Sequence, residues 1–320
     1  MAKNPSIDLL KGVLILLVMG GHVMELTGTH DLVLWVGSGF RMPMMIGISG
    51  YLLNLARTRG DAPGVLLSRY GQRMLLPWAV AILLYLLTSH GALGWTTPLD
   101  LLLRPPFHLW YVPVLFFLIM VTRLLPLSPL LLLALGTPVS LAIMYGFGLD
   151  HGPVGEGLFA LDSRFLRYPV YFFFGMLLAE RRLPRPYELL ALLMTGLGLG
   201  WWSGLYVAGT VLGYVPARLL MCLGLIALLP ALSALRLHVG PINALGRDSL
   251  FFYLWHPLVM GLVIMTGVGP LATFALSLLL LAAASRIAAR RPALALLLGA
   301  VPEKRQPARS LSVAPCPAQA

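Results

Sequence analysis

The chain has 320 residues, of which 58% are hydrophobic and only 11% charged, and its mean hydropathy is +0.85. Soluble domains carry roughly a quarter charged residues, so a soluble globular fold is excluded, and so apolar a chain cannot be disordered. The formal net charge of +11 does not point to nucleic acid, because the basic residues fall in short segments between apolar runs and not on one soluble face.

Ten apolar runs follow one another, near 9–27, 32–56, 74–89, 109–125, 128–149, 165–180, 188–208, 216–235, 249–266 and 270–289. A membrane-spanning helix needs about 20 such residues. Helices are the expected form, because a backbone in lipid must satisfy its own hydrogen bonds. The first run carries Lys11 and Glu25 and lacks a small-residue cleavage site, so it reads as a retained span and not as a signal peptide. The stretch LYVAGTVLGYVPARLL between the seventh and eighth runs also suits a broken helix or a re-entrant turn. From residue 302 the chain turns polar and proline-rich. The expectation is an all-α polytopic membrane protein with about ten transmembrane helices in one bundle. Its membrane domain covers 1–301, and a disordered cytoplasmic tail covers 302–320.

Lys and Arg counts set the orientation. With a cytoplasmic N-terminus, 18 of the 23 basic residues lie inside and five outside: Arg41, Arg104, Arg164, Arg167 and Arg218. This bias predicts a cell-membrane protein with both termini cytoplasmic.

Ionisable groups within spans are costly and are functional candidates by default. Lys11 and His22 are eleven residues apart, which returns to nearly the same helical face about 16 Å further along, and Glu25 shares that face. Lys11 also suits snorkelling to the interface, and His22 suits a buried histidine bonded to a carbonyl. Arg69 and Arg73, four apart in SRYGQRMLLP, share a face. They fit either a phosphate clamp or positive-inside anchoring. Tyr253, Trp255 and His256 lie in one late span, and His108, Trp110 and Tyr111 open another. For the tryptophans and tyrosines an aromatic belt is the ordinary explanation. Asp8, Asp162 with Arg164, and Asp248 with Arg247 stand at span ends, where solvated charge is expected. Cys222 and Cys316 give neither metal-ligand spacing nor a disulfide framework.

Five blocks in order carry a resemblance: SIDLLKGVLILLVMGGH, FRMPMMIGISGYLLN, SRYGQRMLLPW, HLWYVPVLFF and LGRDSLFFYLWHPLV. Over about residues 6–290 the chain resembles the acyltransferase 3 family of membrane acyltransferases, in its fucose O-acetylase-like branch. The resemblance implies transfer of an acyl group, usually acetyl, from cytoplasmic acyl-coenzyme A to a hydroxyl of an exported or lipid-linked sugar or glycan. Acetyl-CoA is then a donor substrate, with no permanently bound cofactor and no metal. It implies His22 as the catalytic histidine, Lys11 as its basic partner and Arg69 and Arg73 as the basic pair. Arg41 stands where the family commonly has histidine.

These residues suggest a mechanism. His22, paired with Glu25, would act as the base, while Lys11, Arg69 and Arg73 hold coenzyme A phosphates at the inner rim. Tyr253, His256 or Trp110 would support the site, His256 or Tyr253 by orienting His22 or stabilising the oxyanion. Paired charges within broken helices also suit a transporter or flippase of a small polar or glycan substrate.

Overall fold

A computed structural model describes residues 4–29, 31–89, 97–180 and 186–303. The expected tail lies, from residue 304 on, outside the described residues. About four-fifths of the described chain is helical. Among the described residues, seven helices are long and apolar enough to cross a membrane: Pro5–Leu26, Leu32–Tyr51, Pro63–Thr88, Pro129–Phe147, Tyr187–Val207, Tyr214–Ala234 and Pro270–Ala289. Tyr111–Leu124 and Ser249–Ile264 are shorter apolar helices, and Pro169–Glu180 is shorter still. The chain is an all-α polytopic membrane protein. The ambiguous stretch between the seventh and eighth runs resolves as two helices joined by a turn at 208–213, where Gly209 and Gly213 take positive φ.

Local chemistry sets the helix starts. The Asn4 side chain accepts from the backbone amides of Ser6 and Ile7, and Pro5 opens the first helix. Asp31 caps the second helix through the Leu34 amide at 2.8 Å, and Ser128 caps Pro129–Phe147 through Leu131 at 3.3 Å. Each cap satisfies an orphan donor that lipid could not.

Burial sorts the helices into layers. In the second helix 56% of the apolar window is buried and in the first 44%, against 17% for Pro129–Phe147 and 22% for Tyr187–Val207. The first two helices and Tyr214–Ala234, whose window is 50% buried, therefore form the inner layer of the bundle, while Pro129–Phe147 and Tyr187–Val207 present most of their surface to lipid. Because lipid is as apolar as leucine, packing and small residues must hold such helices together. A Cβ at Gly50 would meet the backbone carbonyl of Phe172, and one at Gly175 the carbonyl of Gly47, so glycines let the second helix and Pro169–Glu180 touch backbone to backbone. Gly12 and Gly246 bring the first helix onto the short Gly240–Arg247 helix in the same way.

At the end of the bundle opposite the N-terminus, the connection from 148 to 168 is more than a linker. Pro153–Val154 pairs with Leu161–Asp162 in a two-residue antiparallel hairpin. The Arg164–Arg167 turn follows it, with Arg164 and Arg167 buried. The solvated span-end charge expected at Asp162 and Arg164 is thus corrected: both are buried, and they form a bidentate pair at 2.8 and 2.7 Å.

Candidate active site

The first helix runs past two cavities. One, near its N-terminal end, has a volume of about 310 Å³ and is lined by Lys11, Ser49, Arg73, Tyr111 and Tyr253, among others. The other, toward its C-terminal end, is about 540 Å³ and is lined by His22, Arg41, His108, Trp110 and Tyr253, among others. Tyr253 belongs to both walls. Its hydroxyl donates to the carbonyl of His108 and accepts from the amide of Tyr111 at 3.2 Å. The Tyr111 hydroxyl lies 2.9 Å from Ser49 Oγ. Tyr253, Tyr111 and Ser49 thus form a hydrogen-bonded chain where the two chambers share a wall.

His22 is half-buried, and its Nδ1 lies 2.8 Å from Glu25 Oε2. One helical turn brings the two together, so the sequence places this dyad locally. The other oxygen of Glu25 lies 3.5 Å from Arg41 Nη2, which also fixes the carboxylate. Arg41 crosses from the second helix and donates from Nη1 to the carbonyl of Leu17 at 3.0 Å. Gly21 makes this crossing possible, since any Cβ there would overlap the Arg41 guanidinium. The Nδ1–H donated to Glu25 leaves the Nε2 lone pair of His22 free to accept a proton.

Two more imidazoles flank His22. The His256 ring centroid lies 5.1 Å away and that of His108 6.0 Å away. Nδ1 of His256 is 2.8 Å from the carbonyl of Phe252 and must therefore donate to it. The Nε2 atoms of His256 and His108 are buried without a partner among the described residues. In that tautomer His256 accepts but cannot donate, so a neutral His256 cannot stabilise an oxyanion. His108, in the turn before Tyr111–Leu124, is pushed down to about 3 by burial and by the neighbouring His22, so it too is neutral.

The other expected residues separate. Lys11 and Arg73 line the smaller cavity, and Lys11 lies 3.8 Å from Asp8. Arg69 does not line it; its guanidinium pairs with Asp61 at 2.5 Å. Arg69 lies in the last turn of the helix Pro63–Tyr70 while Arg73 lies in the π-helical turn Gly71–Leu75, whose wider winding breaks the four-residue register that would set them on one face. Trp110 lies on the larger cavity, stacked on Tyr168 with ring centroids 4.9 Å apart and under Arg164 at 5.4 Å.

Sequence reading missed Arg164, Arg167 and Arg218 as site residues. With Arg41 they line the larger cavity. The three were visible among the five basic residues that run against the topology bias, as was Arg41. An apolar groove of about 330 Å³ between the first, second and last long helices also reaches Arg41. No group of histidine, cysteine and carboxylate residues able to hold a metal ion occurs among the described residues.

A family profile described as an acyltransferase domain, that of the acyltransferase 3 family, matches residues 4–289. No curated protein and no solved structure matches the chain.

Proposed function

Because the chain belongs to the acyltransferase 3 family, and so is a membrane acyltransferase, we propose that it moves an acetyl or other short acyl group from cytoplasmic acyl-coenzyme A to a hydroxyl of an exported or lipid-linked sugar. The supporting observation is the division of labour along one helix. A cationic chamber with Lys11 and Arg73 lies at one end, and His22, paired with Glu25, lines a second chamber at the other, with Tyr253 on the wall of both.

In this reading the donor enters the Lys11 chamber, where Lys11 and Arg73 meet its phosphates and the pantetheine arm points toward Tyr253. The acceptor occupies the His22 chamber. Its hydroxyl oxygen bonds to the thioester carbonyl carbon while the proton passes to His22 Nε2, and Glu25 stabilises the imidazolium that forms. The C–S bond then breaks and the thiolate leaves, taking the proton from His22. Helix length sets about 16 Å between anchor and base, which suits a donor and an acceptor that approach from opposite ends of the bundle. The apolar groove at Arg41 supports the lipid-linked form of the acceptor, because a tail could lie there with its head in the chamber.

General acid–base groups contribute about 10²–10⁴-fold. His22→Ala should therefore lower coenzyme A release from acetyl-CoA by at least that factor in purified protein that still runs as a single species on gel filtration. Turnover within threefold of the unaltered chain would remove His22 from the chemistry.

A further inference from the structure

Four guanidinium groups, those of Arg41, Arg164, Arg167 and Arg218, face one chamber, and no carboxylate is among its described lining residues. Two of the four are matched by charge: Arg41 lies against Glu25 and Arg164 against Asp162. Arg167 and Arg218 have no ion pair among the described residues, although both are buried. Arg167 donates to the carbonyls of Leu149 and Asp150, while its Nε is buried without a partner among the described residues. Arg218 donates from Nε to the carbonyl of Gly39 at 2.8 Å and is hydrogen-bonded to the Tyr168 side chain. Burying a cation without a counter-charge costs several kcal/mol, and the topology bias disfavours basic residues at this end of the bundle. None of these hydrogen-bond partners carries a formal negative charge. A ligand that brings the missing negative charge accounts for both.

We propose that the His22 chamber binds an acceptor carrying an oxyanion, either a carboxylate or a phosphate, held by Arg167 and Arg218. The planar guanidinium fork fits two oxygens of either group. Calling this ligand the acceptor rests on the acyl-transfer reading above; the anion site itself does not. The arginines come from the Arg164–Arg167 turn and from the first turns of Tyr214–Ala234, so two separate elements would grip the anion while His22, on a third, meets the hydroxyl.

The test reads binding without any acyl donor. Trp35, Trp110 and Trp202 line the chamber, so tryptophan fluorescence of the purified full chain reports occupancy. Methyl β-D-glucuronide, glucose 6-phosphate and methyl β-D-glucoside are titrated at constant ionic strength; the first two distinguish carboxylate from phosphate. At least one charged probe should bind tenfold or more tighter than the neutral glucoside, and Arg167→Gln and Arg218→Gln should each abolish that preference. If a Gln variant loses its gel-filtration peak, Arg→Lys at that position decides, since it keeps the charge without the fork. It should weaken the charged probe several-fold and leave the neutral one alone. Equal binding of all three probes, absence of saturable binding by both charged ones, or a preference that survives the substitutions would overturn the proposal. So would a matching loss of coenzyme A binding in the same variants, which would assign the arginines to the donor. Failure of coenzyme A release from acetyl-CoA, by contrast, would sink the acyl-transfer reading and leave the anion site standing.

Discussion

Arg69 and Arg73 show how little a spacing guarantees by itself. Four positions on an α-helix share a face, yet one of these side chains is tied to Asp61 and the other borders the Lys11 chamber. The wider turn at Gly71–Leu75 is the reason. Their substitutions should therefore differ in kind. Arg73→Gln is expected to raise KM for acetyl-CoA by about tenfold, the scale of one charge-assisted contact to phosphate, with thermal stability unchanged. Arg69→Gln is expected to lower the unfolding midpoint by a few degrees, through loss of a partly exposed pair worth about 1 kcal/mol or less, and to leave KM within twofold. Steady-state kinetics and a thermal melt of the two purified variants check both. By contrast, the His22–Glu25 pair lay open in the sequence, because residues three apart on a helix must meet. The Arg41 contact with Glu25 did not, since it joins positions 16 apart on different helices and depends on the missing side chain at Gly21.

Elements were legible in proportion to how local their signals are. Apolar runs bounded by Gly, Pro and charge mark the long helices, since hydrophobic length is written along the chain. The 148–168 connection was not legible. Its charges look like ordinary loop solvation until the fold carries Arg164 onto the carbonyls of Pro105 and Phe107, far away in the chain, with Asp162 beside it as counter-charge. Glycine contacts between helices were equally silent, since a glycine in a span does not say what it touches. Gly175 is the clearest case, with the carbonyl of Gly47 where a side chain would stand. Gly175→Leu should separate the second helix from Pro169–Glu180. Overpacking typically costs about 1–3 kcal/mol, and here the obstructing atom is backbone, which yields less readily than a side chain. A lower thermal midpoint in detergent is expected, together with weaker acyl transfer, because the second helix carries both Arg41 and Ser49. An unshifted midpoint would mean that the contact bears no load.

For the molecule as a whole, two chambers back to back pose a problem that neither chamber has alone. Tyr253 lines both, and its hydroxyl is held by the carbonyl of His108 and the amide of Tyr111. A membrane protein with two cavities that share a wall must not become a leak for ions. Tyr253 is expected to be the seal against ions and water. Cutting it back to Tyr253→Ala should let water file through the first helix's flank, so that liposomes bearing the variant lose an imposed proton gradient faster than liposomes with the unaltered protein, as followed by a trapped pH-sensitive dye. Equal decay would show that the seal lies elsewhere. If the decay is faster, Tyr253 keeps the membrane tight to protons, independently of any part it takes in catalysis.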